Sequence, residues 1–479
     1  MAFDRAAFFI NNEWAQPSSS RTFALINAST GEQFATVPEA AEADVDAAVA
    51  AARNAFDHSR WATMAPIERA AIMRRFMAAV AARSSDIAAA VSMQNGMPIS
   101  LSTALEGQFP LGLLDYYAGL ADAMELFEDR PSQLGKTTQV VRRGIGVVAA
   151  IVPWNFPAAL AMSKIAPAMA TGCTLVIKPS PGTVLDSYIF AEAALEAGVP
   201  AGVLNWVAAD RDVGAYLVSH PGVDKVAFTG STSAGRAIAR VCGEMLRPVT
   251  LELGGKSAAI LLDDVDLDTF LAGIPTASLL NNGQACYNGT RILAPRKRYD
   301  EVVDAVSGLL ASFKVGDAMD PETQVGPMAS ETHRARVEHY IAKGRSEAKL
   351  VTGGGRPKHL NHGWFVEPTL FADVENTAVI AREEIFGPVL GVIVYDNDDQ
   401  AISIANDSEF GLGGSVWSSD AARALDIAHK VDSGTVGVNG YMPSLGSPFG
   451  GIKASGLGRE FGPEALASYQ QVKSIYVMA

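Results

Sequence analysis

Cysteine is scarce: Cys173, Cys242 and Cys286 are the only three in 479 residues. They are too few and too scattered for a disulfide framework or a zinc cluster, and they point to a reducing compartment with free thiols. The seven histidines are dispersed without an H-x-x-x-H pair, so no metal site is expected. No run of eighteen apolar residues occurs, and Met1-Ala2-Phe3-Asp4-Arg5 has no charged-then-apolar leader pattern. A cytoplasmic location without membrane attachment is the expectation. Positive charge is short too: 38 Lys and Arg face 52 Asp and Glu, a net charge of −14, which argues against nucleic acid as a partner. Internal repeats and low-complexity tracts are lacking, as is a Walker A sequence.

What is present is a large apolar fraction, 48%, in a chain longer than one hydrophobic core usually supports, so at least two domains are expected. Residues 38 to 93 are Ala-rich, with Val45, Ala48, Val49, Ala52 and Phe56 at helical spacing, and a second such stretch follows from Pro66 to Ile87. From 147 onward, apolar runs at 147–152, 174–177, 203–207, 225–228 and 249–252 alternate with helix-like segments at 158–170 and 183–197. This is the pattern of an α/β protein with a mostly parallel sheet. Such sheets bind ligands beyond the carboxyl ends of their strands, where Pro153-Trp154-Asn155, Lys178 and Gly230 fall. A second alternating region starts at Ser257, with a helix expected over 268–281 that delivers Cys286 in the loop beyond it. The stretch Gly446 to Gly458 reads as a structured loop.

Taken singly, the chemical candidates stay open. Cys286, between Gly283 and Gly289, reads as a nucleophile in an exposed loop or as a small buried hydrophobe. Glu252, closing an apolar strand before Gly254-Gly255, reads as a general base whose carboxylate the glycine pair lets move, or as a paired strand-end carboxylate. Asn155, between two prolines, is an oxyanion donor or a turn former. Phe228-Thr229-Gly230-Ser231-Thr232 is a phosphate-binding turn or a simply capped helix, and it is not a G-x-G-x-x-G sequence.

Together these segments resemble the NAD(P)-dependent aldehyde dehydrogenase superfamily nearly end to end. The resemblance runs from Phe9-Ile10-Asn11-Asn12-Glu13-Trp14 through Pro153-Trp154-Asn155-Phe156-Pro157, Phe228-Thr229-Gly230-Ser231-Thr232, Leu251-Glu252-Leu253-Gly254-Gly255-Lys256 and Gly283-Gln284-Ala285-Cys286. It continues in Glu383-Glu384-Ile385-Phe386-Gly387-Pro388 and Ser447-Pro448-Phe449-Gly450-Gly451. The resemblance implies a Rossmann-type NAD(P)-binding domain over 1–123 and 142–254 and an α/β catalytic domain over 255–446. It also implies a small β oligomerisation element with the C-terminal tail, over 124–141 and 447–479, in a homodimer or homotetramer. A tail strand at Ser474-Ile475-Tyr476-Val477 would add to a neighbour's sheet. Cys286 becomes the nucleophile, Asn155 with the Cys286 N–H the oxyanion site, and Glu252 the base that hydrolyses the thioester to a carboxylic acid. Trp154, Lys178, Ser180, Gly230, Ser231 and Glu384 become cofactor residues.

One departure concerns the cofactor. Many NAD-preferring relatives carry a Glu three positions after the lysine, where Lys178-Pro179-Ser180-Pro181 has proline, so NADP is admitted beside NAD as first choice. Phe156, Leu160, Tyr287 and Phe449 are placed along the substrate tunnel, and small Ser163 suggests room for a hydrophobic aliphatic, aromatic or terpenoid aldehyde. Two alternatives belong beside this: a CoA-acylating semialdehyde dehydrogenase, which Glu252 disfavours, and a nucleotide-binding scaffold without catalysis.

Overall fold

The runs Val147–Ile151, Thr174–Lys178, Leu204–Trp206, Lys225–Thr229 and Val249–Glu252 form neighbouring parallel strands in the computed structural model, which describes residues 4–478. Every residue in them except Val249 is buried. Both faces of the sheet are covered, so the runs carry no polar alternation. In space the order is 204–206, 174–178, 147–151, 225–229, 249–252. The chain therefore starts mid-sheet, builds one side, and returns to build the other. The reversal falls between 147–151 and 225–229, and the crevice beyond those two carboxyl ends is where doubly wound sheets receive ligands. Gly456–Leu457 closes one edge antiparallel to Val249–Glu252, and the hairpin Phe8–Ile10/Glu13–Ala15 closes the other.

Two helical expectations need correction. The second Ala-rich stretch is two helices, Pro66–Ala81 and Ser84–Asn95, bent by 64°. Arg83 leaves helical geometry, and Ser84, Ser85 and Asp86 are helix-start residues that outweigh the continuing apolar period. The helix expected over 268–281 is Leu267–Ala277. Pro275 removes a backbone donor in its last turn, and Asn281, Asn282 and Gly283 take φ of 51°, 60° and 79°, which turns the chain into the Cys286 loop.

A second sheet has the order 349–352, 369–372, 389–395, 291–295, 258–261, 415–417, 437–438, parallel except at its first pairing. Gly255, Cys286 and Glu384 all precede strands of this sheet, at 258, 291 and 389. The amino ends of the second sheet thus face the carboxyl ends of the first. A small sheet joins Phe127–Pro131, Thr137–Gly144 and Gln470–Val477. The tail strand pairs along one edge with Thr137–Gly144 of its own chain, from Gln470 opposite Gly144 to Val477 opposite Thr137. Its outer edge carries no partner strand in this sheet. Among the described residues no single helix is long and apolar enough to cross a membrane.

Candidate active site

Cys286 stands at the wall of a cavity of about 520 Å³ that it shares with Trp154, Asn155, Gly230, Ser231 and Glu384. Its loop is held rigidly. Asn282 donates to Gly96 O at 2.8 Å and Pro327 O at 3.0 Å, and accepts from Gly326 N at 2.7 Å. A side chain at Gly283 would come within 2.1 Å of Gly387 O, so only glycine fits there. The residue is part-exposed to the cavity. Protein surrounds it otherwise, and this burial, then the Glu384 and Glu252 carboxylates, push the thiol pKa well above its ordinary value. Its own backbone N–H works in the opposite sense, which places that donor beside the sulfur. Cys173 and Cys242 are buried in the core.

Asn155 lies just past the strand Val147–Ile151 and before the helix Pro157–Thr171. Its side-chain amide donates to Gln284 O at 3.0 Å, two residues before Cys286. An amide NH₂ has two hydrogens, so one remains to meet an oxyanion formed on the sulfur's substrate.

Glu252 does not line this cavity. It is buried, both carboxylate oxygens lack partners, and Oε1 faces the glycine at 450, where a side chain would approach it to 2.6 Å. Burial first, then the Glu460 carboxylate, hold its pKa well above the ordinary value; Lys164 and Arg459 act the other way. Behind Glu252 the Lys164 ammonium reaches Glu460 Oε1 at 2.6 Å, Thr229 Oγ1 at 2.7 Å and Leu160 O at 3.3 Å, a buried ion pair absent from the sequence reading. Ser163 donates to Glu460 Oε2 at 2.9 Å. The Gly254-Gly255 pair permits close approach: a Cβ at 254 would meet the Glu384 carboxylate at 2.5 Å, and one at 255 would meet Cys286 O at 2.4 Å.

A second cavity of about 410 Å³ adjoins the first through Pro153, Trp154, Thr229, Gly230 and Ser231, and contains Lys178, Ser180, Pro181, Asp210 and Arg211. Ser231 caps the helix Thr232–Glu244 by accepting from Ala234 N at 3.3 Å, so the positive end of a 13-residue helix opens at the junction. Lys178 donates to Ala209 O at 2.8 Å, and burial lowers its pKa to about 8. Glu384 accepts from Gly255 N at 2.9 Å, and burial raises it to about 7. All six cofactor candidates, Trp154, Lys178, Ser180, Gly230, Ser231 and Glu384, therefore border this continuous cleft. A helix N-terminus at the junction, with a lysine toward one end and a carboxylate toward the other, suits a dinucleotide.

The substrate candidates fare differently. Phe156, Leu160, Tyr287 and Phe449 border neither cavity. Tyr287 and Phe449 belong to an aromatic chain, Tyr441–Tyr287 stacked at 4.5 Å, then Phe449 at 6.3 Å, Phe461 at 5.6 Å and Phe109 at 5.6 Å between ring centres. Phe156 closes the turn before the helix Pro157–Thr171 and is half-buried, as is Leu160. Sequence reading gave no role to His333, Arg336, Tyr340, Phe386 and Phe410, which also line the cleft. The first three lie on the helix Glu331–Glu347, which is mostly polar and carries no recognisable motif. Burial lowers His333 to about 4, so its ring is neutral beside Trp154, 5.0 Å away between centres.

The aldehyde dehydrogenase family profile matches residues 14–475. Geranial dehydrogenase of Castellaniella defragrans is 57% identical over 478 residues, covering 100% of both chains. A putative aldehyde dehydrogenase of Bacillus subtilis is 42% identical, covering 98% of this chain and 95% of its own. The fold matches a Mycobacterium tuberculosis aldehyde dehydrogenase complexed with NAD+ with a TM-score of 0.97 and 46% identity, over 99% of this chain and 98% of that one. A mutant aldehyde dehydrogenase C of Pseudomonas syringae, in complex with NAD+ and octanal, follows with a TM-score of 0.95, 37% identity, and 98% and 96% coverage. With a cysteine and an amide at the inner end of a dinucleotide-shaped cleft, and a profile match over almost its whole length, the chain belongs to the aldehyde dehydrogenase family.

Proposed function

We propose that this protein oxidises a hydrophobic, terpenoid-type aldehyde to its carboxylic acid with NAD, through a thioester on Cys286. The observation that carries this reading is the meeting of Cys286 and the Asn155 amide at a cavity that continues into the helix-capped cleft. Cys286 gives its thiol proton to solvent in the open cleft, and the sulfur attacks the aldehyde carbon. Asn155 and the Cys286 N–H hold the oxygen of the tetrahedral adduct. Lys178, Ser180, Ser231 and Glu384 would hold NAD, which supplies the hydride acceptor when bound. Glu252 then takes a proton from the water that cleaves the thioester. To reach that water its side chain turns from Gly450 toward Cys286, and because both oxygens are unpartnered no hydrogen bond is broken.

Preference for an apolar aldehyde rests on the similarity to a geranial dehydrogenase. With purified protein, NAD and geranial, free acid is expected without CoA; an acyl-CoA product and no free acid would favour the CoA-acylating alternative, and NAD binding without oxidation of any aldehyde the scaffold alternative.

Asp210 supplies the negative charge missing at Pro181. It borders the adenosine end of the cleft beside Lys178, with Oδ1 held by Val213 N at 2.9 Å. A carboxylate there repels a 2'-phosphate and favours NAD. Asp210→Ser keeps the helix cap and should raise relative efficiency with NADP about tenfold, measured as the ratio of kcat/KM for the two cofactors.

The protein works in the cytoplasm as a homodimer or homotetramer. The free edge of Gln470–Val477, with exposed Val472 and Tyr476, offers its surface to a second copy.

A further inference from the structure

Two buried asparagine side chains converge on one carbonyl. Asn281 Nδ2 donates to Asn155 O at 2.9 Å and Asn95 Nδ2 donates to the same oxygen at 3.0 Å, while Asn95 also reaches Trp154 O at 3.1 Å. Asn155 returns the contact, its own amide donating to Gln284 O. The nucleophile loop and the oxyanion turn are therefore joined reciprocally: an amide from the loop grips the turn's backbone, and an amide from the turn grips the loop's backbone.

Asn281 is an expensive residue for its place. It sits at a φ of 51°, a left-handed conformation that glycine adopts freely, and its buried Oδ1 has no partner. Glycine would relieve the left-handed backbone and the stranded acceptor together, and Asn155 O would still be satisfied by Asn95. What glycine would lose is the bond from the nucleophile loop to the turn.

We propose that Asn281 is a positioning residue that fixes the distance between the Cys286 sulfur and the Asn155 amide, at a cost in local stability. The inference rests on Asn155 being the oxyanion donor. A small misplacement of that donor is costly because its bond strengthens only as the oxyanion forms. Asn281→Gly should melt close to the parent and bind NAD with parental affinity, with Cys286 alkylated by iodoacetamide at the parental rate. Its single-turnover NADH formation should fall about 10- to 100-fold, less than in Asn155→Ala.

The double variant Asn155→Ala/Asn281→Gly should be no slower than Asn155→Ala alone, because Asn281 acts through Asn155. Parental single-turnover rates in Asn281→Gly, or losses that multiply in the double variant, would overturn the proposal. If the glycine variant fails to fold, Asn281→Asp decides the matter: it keeps the shape and the left-handed backbone but turns an acceptor toward Asn155 O, and should lose at least as much rate. A parental rate in that variant overturns the proposal equally. Absence of NADH formation by the parent itself would refute the functional reading rather than this one.

Discussion

Cys286→Ala is expected to lower aldehyde oxidation by about 10⁵-fold or more while leaving NAD affinity unchanged. The effect is large because Cys286 is the only thiol lining the cavity: Cys173 and Cys242 are core residues, and Ser231 and Ser233 bond each other at the helix cap at 3.1 Å. Stability should change little, since the side chain is small and part-exposed, and the fold around it is held by Asn282 and Gly283. Turnover by spectrophotometry and NAD binding by calorimetry separate the two consequences. Parental turnover in the alanine variant would remove Cys286 from the chemistry.

Glu252→Gln should divide the reaction in two. The first hydride transfer needs the sulfur and the oxyanion donors, so one NADH per subunit should appear in a burst. Sustained turnover should fall about 10²- to 10⁴-fold because the amide cannot take the water's proton. If Glu252 also accepts the Cys286 proton, the burst slows as well. The pH dependence has a definite sign. Burial and Glu460 raise the Glu252 pKa, so the base form grows as the pH rises, and parental turnover should climb with it; the glutamine variant should lack that limb. Stability moves the other way. With a folded pKa above the unfolded one, the contribution of Glu252 is full below the unfolded value and is lost as the pH rises through the folded value. The glutamine variant should therefore gain on the parent in urea unfolding at alkaline pH and lose that advantage in acid.

The sheet strands were legible because burial on both faces leaves continuous apolar runs, and Val147–Ile151 and Lys225–Thr229 appear where those runs stand. Helix ends were less so. Ala82-Arg83 and Ser278 to Gly283 interrupt patterns whose apolar period continues past them. Cys286, Glu252 and Asn155 were distinguishable from core or turn residues only through the resemblance of their surrounding motifs. The direction of the Glu252 carboxyl was beyond reach, because it depends on Gly450 and Glu460, which approach from the far end of the chain. Lys164 with Glu460 and Asn281 with Asn155 were hidden for the same reason: partners 296 and 126 residues apart leave no local pattern.

The most direct measurement is the mass of Glu252→Gln quenched in acid after mixing with NAD and geranial. One acyl group per subunit should be found on the peptide containing Cys286. An unmodified Cys286 after a full NADH burst, or an acyl group on any other residue, would contradict the thioester.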